Sequence, residues 1–96
     1  MELAKSLDSV SDLNSFLSFA RLLAADRAAS VRAEASSSSH PVGPAAGGWE
    51  NTSIESFLEA AISWATDTEM GLLQGISSGN PWKRFATFLY CGKIYE

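Results

Sequence analysis

The sequence predicts an all-α fold, a small single-domain helical bundle of three main helices plus one short helix. Apolar residues recur at helical spacing in three segments, and typical helix-capping residues precede those segments. No segment alternates apolar and polar side chains as a half-buried strand does. A chain of 96 residues, 46% of them hydrophobic, suits one domain over residues 1–96 with a single modest core.

The first helix is expected over about residues 9–30. Ser9 or Ser11 is the expected cap, and Asp12 then falls in the first turn, where the helix dipole favours a negative charge. One face of this segment is apolar at helical spacing: Leu13, Phe16, Leu17, Ala20, Leu23 and Ala24.

A change of composition marks a linker over about residues 33–48. Val42 is its only sizeable apolar residue, and four serines from Ser36 to Ser39 are followed by prolines and glycines. Such a segment cannot bury enough apolar area to offset the entropy lost on ordering it. We therefore predict a long flexible loop between the first and second helices, with order over about 9–30 and 49–95.

The second helix is expected to begin just after Trp49 and to run to about Thr66. Thr52 with Glu55 three residues later matches a capping box, and Asn51 is the competing cap. The apolar stripe that follows consists of Ile54, Phe57, Leu58, Ala61, Ile62 and Ala65.

A short element and a last helix complete the predicted bundle. The segment 70–76 lies around two glycines and reads as a short, weak helix or a structured turn. Asn80 as cap and Pro81 at the first helical position predict a helix that ends near Gly92. The residues expected at the centre of the core are Phe16, Phe57, Leu58, Phe85, Phe88 and Leu89.

The chain offers little for catalysis or for metal binding. Cys91 and His40 are the only candidates for a thiol–imidazole pair, and His40 lies in the predicted loop, which cannot hold the required geometry. One histidine and one cysteine cannot supply the usual ligands of a zinc site. We therefore expect no catalytic residue, no metal and no cofactor, and we interpret the acidic side chains as a solvated surface.

The distribution of charge suggests a place for a partner. A net charge of -4 argues against nonspecific nucleic-acid binding, which needs a basic surface. Lys83 and Arg84 stand in the first turn of the last helix, where the dipole disfavours cations. Either Glu55 or Glu59 on the neighbouring helix compensates them, or an acidic partner docks there.

The expected roles of the three tryptophans follow from their positions relative to the apolar stripes. Trp64 and Trp82 lie on apolar stripes and are expected in the core, whereas Trp49 is either a lid on the core or a half-exposed interface anchor.

The N-terminal residues do not resemble a signal peptide, and no apolar run approaches the ~20 residues of a membrane span. A lone cysteine fits a reducing compartment, so the expected location is cytoplasmic.

Two motifs in the second half resemble a small bacterial family known only as a domain of unknown function. The first motif begins Trp49-Glu50-Asn51-x-Ser53-Ile54, and the second runs from Asn80-Pro81-Trp82-x-Arg84-x-Ala86 to Gly92-Lys93-Ile94-Tyr95-Glu96. The resemblance covers nearly the whole chain and implies a helical fold. It implies no activity, ligand or catalytic residue.

These observations favour a non-enzymatic protein-interaction domain of immunity-like or accessory type. The expected partner is another protein, with no nucleic acid and no membrane, and self-association is left open. The candidate interaction surface comprises Trp49, Glu50, Asn51, Lys83, Arg84, Lys93 and Tyr95. The alternative is a small enzyme or ligand-binding domain with a polar site formed by Glu50, Asn51, Lys83, Arg84 and Tyr95. A third interpretation is a structural subunit of a larger assembly.

Overall fold

A computed structural model describes residues 2–36 and 48–95, and over these residues the chain is all-α, without a β-strand. The helices are α1 (Glu2–Asp8), α2 (Leu13–Ser36), α3 (Ile54–Thr68) and α4 (Pro81–Ile94), with a 3-10 turn at Leu72–Gln74 between the last two. The predicted fold class is confirmed. The three main predicted helices correspond to α2, α3 and α4, and the predicted short element corresponds to the 3-10 turn.

Helix α1 was not predicted, because seven residues give too little periodicity to recognise. It packs against α2 and α4. Leu3 within it and Val10 just after it are both fully buried, so this N-terminal segment contributes directly to the core.

The expected start of the first helix was wrong, because Asp12 is the residue that caps α2. The Asp12 carboxylate accepts a hydrogen bond from the backbone N–H of Ser15 at 2.9 Å. The Ser15 hydroxyl oxygen in turn accepts from the backbone N–H of Ser11 at 2.9 Å and of Asp12 at 3.1 Å. Neither Ser9 nor Ser11 takes the capping position. The Asp12 carboxylate accepts hydrogen bonds from the hydroxyl and the backbone N–H of Ser15, and these bonds lower the pKa of the Asp12 carboxyl group.

Helix α2 also extends further than expected. It continues to Ser36, so the predicted end near residue 30 and the predicted start of the linker at residue 33 were both wrong. Alanine at positions 28, 29, 33 and 35 favours helix strongly, and the linker composition prevails only after them. The rest of the predicted loop, residues 37–47, lies outside the described residues.

Ser53, and not Thr52 or Asn51, caps α3. Its hydroxyl oxygen accepts from the backbone N–H of Ser56 at 3.0 Å, while the Ser56 hydroxyl oxygen accepts from the backbone N–H of Ser53 at 3.2 Å. The predicted capping box is therefore displaced by one residue and closed by a serine. The helix ends at Thr68, two residues beyond the expected end.

Helix α4 begins as predicted and occupies the centre of the bundle. Asn80 caps it by accepting from the backbone N–H of Lys83 at 3.1 Å, Pro81 is its first residue, and it ends at Ile94 instead of Gly92. Helices α2 and α3 each pack on α4.

The directions of the helices follow from four contacts. Phe16 meets Trp82 near the start of α4, and Asp26 meets Lys93 near its end, so α2 runs parallel to α4. Phe57 lies against Gly92, and the Arg84 side chain reaches the carbonyl of Met70, so α3 runs antiparallel to α4.

The predicted core was correct in part. Phe16, Phe57 and Leu89 are partly buried and pack against the main cluster, and Phe88 is half-buried. Leu58 and Phe85 are wrong, because they are 45% and 53% exposed. The main cluster itself consists of Leu3, Val10, Phe19, Leu23, Trp49 and Ala86. Trp64 is buried and Trp82 packs against the cluster, as expected. Trp49 is buried in the core cluster, which agrees with the lid and not with the half-exposed anchor.

Candidate functional site

The structure divides the predicted interaction surface between the two ends of α4. Lys83 lies in the first turn of this helix, and Lys93 lies in its last turn. Ten residues of helix separate them along the axis by about 15 Å. The polar residues singled out from the sequence therefore form two separate groups and not one site.

The group at the end of α4 consists of the Asp26–Lys93 ion pair and the indole of Trp49, and we call these three residues the polar clasp. The Lys93 ammonium donates to Asp26 Oδ2 at 2.8 Å, and the indole N–H of Trp49 donates to the same oxygen at 2.9 Å. Lys93 is only 7% exposed. The guanidinium of Arg27 lies 5.4 Å from the centre of the Trp49 ring, so a cation also covers this indole.

The residues after Trp49 donate hydrogen bonds to carbonyl groups at the end of α4. The backbone N–H of Glu50 donates to the carbonyl of Lys93 at 3.0 Å. The side-chain amide of Asn51 donates to the carbonyls of Gly92 at 3.0 Å and of Tyr95 at 2.9 Å. The last carbonyls of a helix lack partners within the helix, and Asn51 supplies donors to them. The two sequence motifs therefore bind each other, and they do so inside the fold.

The remaining predicted polar residues also have partners within the chain. The Tyr95 hydroxyl donates to the Asp67 carboxylate at 2.6 Å, and this hydrogen bond raises the pKa of Tyr95. The ammonium of Lys83 lies 4.0 Å from the carboxylate of Asp8. Arg84 Nε donates to the carbonyl of Met70 at 3.0 Å. These partners compensate the two cations at the start of α4 in place of the expected Glu55 and Glu59.

Cys91 is poorly suited to nucleophilic chemistry. Its side chain is buried, and burial raises the pKa of the thiol to about 11. The reactive thiolate form is therefore suppressed at neutral pH. His40, its predicted partner, lies outside the described residues. In the part of the chain that the structure describes, no three histidine, cysteine or acidic residues stand close enough to hold a metal ion.

A different feature is the candidate binding site: an apolar cleft of about 450 Å³ between α2 and α3. Ala20, Leu23 and Ala24 line it from α2, Ile54 and Leu58 line it from α3, and Leu89 of α4 forms its floor. Arg27, Trp49 and Asn51 close the end next to the polar clasp. The cleft exists because α2 and α3 flank α4 and leave its outward side open.

Helical spacing extends the cleft into a longer apolar surface. Phe85 precedes Leu89 by four residues, Ile62 follows Leu58 by four, and Leu17 precedes Ala20 by three, so each lies on the same side as its neighbour. All three are exposed. We call this surface the apolar face, and it comprises Leu13, Leu17, Ala20, Ala24, Ile54, Leu58, Ile62, Phe85 and Leu89.

The sequence placed the residues of the apolar face on helical stripes and assigned three of them, Leu58, Phe85 and Leu89, to the centre of the core. The stripe on α3 carries the signal that separates the two roles. Phe57 and Ala61 point to α4, whereas Leu58 and Ile62 are each rotated from them by about 100° around the helix. A stripe this wide exceeds what one neighbouring helix can cover, and the outer part of it is exposed.

Comparisons with known proteins identify a family for this chain. Among the described residues, no helix combines the length and the apolar composition needed to cross a membrane. The chain matches no curated protein and no solved structure. One family model, described as a family of unknown function, matches residues 12–96. This match spans most of the chain and includes both motifs, and the chain therefore belongs to that family, DUF7660.

Proposed function

We propose that the chain is a non-enzymatic protein-interaction domain that binds its partner through the apolar face. One observation carries this proposal. Of the eleven large apolar side chains that are exposed in the described residues, six lie on this face: Leu13, Leu17, Ile54, Leu58, Ile62 and Phe85. Exposed apolar residues are ordinarily scattered over a surface, and a contiguous patch indicates a binding site.

The shape of the face favours a protein partner over a small molecule. The cleft is open along its length, and its walls are two helices that present mainly aliphatic side chains. A small-molecule site is usually a more enclosed pocket with several convergent polar groups. A helical surface of a partner, which carries its own apolar stripe, fits a groove of this kind.

The alternative polar site is not supported by the geometry. Asn51 and Tyr95 lie at one end of α4, and Lys83 and Arg84 lie at the other. The side chains of Asn51 and Tyr95 are already engaged in hydrogen bonds that hold the fold. An accessory or immunity-like role in the cytoplasm belongs to our proposal as its broader setting, and the free cysteine Cys91 supports a reducing compartment.

The proposal is tested by affinity capture from native lysate with three forms of the chain. Leu58→Glu places a charge in the middle of the apolar face. Leu73→Glu is the matched control, because Leu73 is also exposed but belongs to the 3-10 turn and is not one of the residues that form the face. We expect the wild type and Leu73→Glu to retain the same proteins and Leu58→Glu to lose them, while circular dichroism shows all three equally folded. Retention of the same proteins by folded Leu58→Glu would contradict the proposal.

A further inference from the structure

We propose that the partner that occupies the apolar face is a second copy of this chain, in a symmetric dimer whose two-fold axis runs along α4. This inference rests on the proposed function, since it names the occupant of the same surface. A rotation of this kind places α2 of one copy over α3 of the other. Three properties of the face fit that arrangement: the sizes of its side chains, their positions along the helices, and the charges at its edges.

The two walls of the face differ in the size of their side chains. At the cleft, α2 presents the small residues Ala20 and Ala24 beside the buried Leu23, whereas α3 presents the large residue Leu58. The exposed Ile62 follows Leu58 one turn further along α3. When α2 of one copy lies over α3 of the other, large side chains meet small ones. Such alternation lets helix surfaces interdigitate.

The small and large residues also stand at matching levels along α4. Helix α2 is aligned with α4 by the contact of Asp26 with Lys93, and α3 is aligned with α4 by the contact of Phe57 with Gly92. At about 1.5 Å per residue, counting from these contacts places Ala24 of α2 and Leu58 of α3 at one level.

The same counting places Ala20 and Ile62 at a second common level, one turn of α4 nearer its start. A two-fold axis along α4 preserves these levels. Ala24 of one copy therefore faces Leu58 of the other, and Ala20 faces Ile62, to within about one helical turn.

Charges at the outer edges of the apolar face favour a two-fold axis along α4 over one that runs across the groove. Arg21 on α2 follows Leu17 by four residues, and Glu55 and Glu59 on α3 precede Leu58 and Ile62 by three, so each lies beside the apolar stripe. By the same counting, Arg21 lies about 3 Å from the level of Glu59. With the axis along α4, the arginine of one copy approaches the glutamates of the other.

A two-fold axis across the groove would instead place α3 on α3 and bring acidic edges together, which is unfavourable.

The size of the molecule allows the dimer that we propose. A stable interface buries about 800 Å² on each partner, which is less than the product of the two longer dimensions of the molecule, 45 and 27 Å. Phe85, near the axis, then meets its own copy and supplies an aromatic contact.

The test is sedimentation equilibrium of the full chain as wild type, Arg21→Glu, Glu59→Arg and the double variant. We expect a dimer for the wild type. Each single charge reversal should raise the dimer dissociation constant about tenfold, because symmetry repeats the pair twice, and the double variant should recover most of the loss. Higher salt should weaken the wild-type dimer and leave the single variants less affected.

The outcomes separate this inference from the proposed function. A dimer that forms equally well in Leu58→Glu would overturn the inference, since self-association would then use another surface. A dimer insensitive to both charge reversals would overturn the proposed axis. A wild type that stays monomeric at high concentration would overturn the dimer, while the proposed function would still stand if Leu58→Glu loses proteins that the wild type captures. Circular dichroism of each variant confirms that it is folded.

Discussion

Lys93 shows how a residue that looks functional in the sequence can act in the fold. A buried ammonium is costly unless it is paired and hydrogen-bonded. Lys93 meets that condition through Asp26, and the same carboxylate also accepts from Trp49. The lysine of the C-terminal motif and the tryptophan of the first motif thus share one acceptor, which explains both motif residues without a partner.

Removal of one member of the ion pair should be strongly destabilising. Lys93→Met leaves the Asp26 side chain, which is only 12% exposed, without its counter-charge, and we expect a loss of about 3–5 kcal/mol in the free energy of unfolding. Lys83→Met is the matched control, because its 4.0 Å pair with Asp8 is more exposed, and it should cost under ~1 kcal/mol. Urea denaturation measures both, and equal losses would refute the structural role of the clasp.

The thiol of Cys91 should react slowly in the folded chain. Burial raises its pKa from the ordinary value of 9.0 to about 11, and two pKa units reduce the thiolate fraction about 100-fold. Alkylation at pH 8 should therefore be far slower in the native protein than in urea, with Cys91→Ala as the unlabelled control. A native rate equal to the unfolded rate would show that the thiol is accessible.

The same shift has a consequence for stability at alkaline pH. The unfolded chain releases the Cys91 proton near pH 9, whereas the folded chain retains it up to about pH 11. The folded state therefore holds more protons in this window, and stability should fall as pH rises from 9 to 11. Below pH 9 the thiol contributes no pH dependence.

At the scale of helices, the contact of α3 with α4 depends on a glycine. A Cβ added at Gly92 would lie 2.7 Å from Cε1 of Phe57, with two further ring atoms at 2.8 and 2.9 Å. The absence of a side chain at Gly92 thus lets the Phe57 ring pack directly on the α4 backbone. This close approach sets the spacing of the two helices at the end that carries the polar clasp.

Gly92→Ala tests the close approach. Alanine favours helix over glycine by about 1 kcal/mol, but the clash with the ring should outweigh this gain and give a net loss of about 1–3 kcal/mol. The double variant Phe57→Leu/Gly92→Ala should lose less than the sum of the single changes, because leucine can withdraw from the new methyl group. Denaturant unfolding of all three variants measures the difference, and a stabilised Gly92→Ala would contradict the close contact.

The sequence predicted helices well where their signals are local. The start of α4 followed from Asn80 and Pro81, and the stripes of α2 and α3 followed from their spacing. Helix α1 was missed because it is short, and the caps of α2 and α3 were misplaced by one to three residues because several serines, threonines and aspartates compete there. Each of these segments offers several good capping residues in succession, so residue type alone does not select one of them.

At the scale of the whole molecule, the sequence cannot distinguish a stripe that is buried within the chain from one that is left open. Phe57 and Phe85 read alike in the sequence, yet Phe57 stacks on Trp49 in the core and Phe85 lies 53% exposed on the apolar face. The reason is that α2 and α3 both pack on α4 and leave the side of α4 that lies between them open. The open side is the basis of the proposed binding function.

The most direct test of this arrangement is urea unfolding of Phe57→Ala and Phe85→Ala, measured in dilute solution so that self-association does not contribute. Phe57→Ala removes a ring that packs on the core and should cost about 3–5 kcal/mol. Phe85→Ala removes a ring from the open face and should cost under ~1 kcal/mol. A loss for Phe85→Ala as large as that for Phe57→Ala would show that the apolar face is buried within the chain, and the proposed binding surface would not exist.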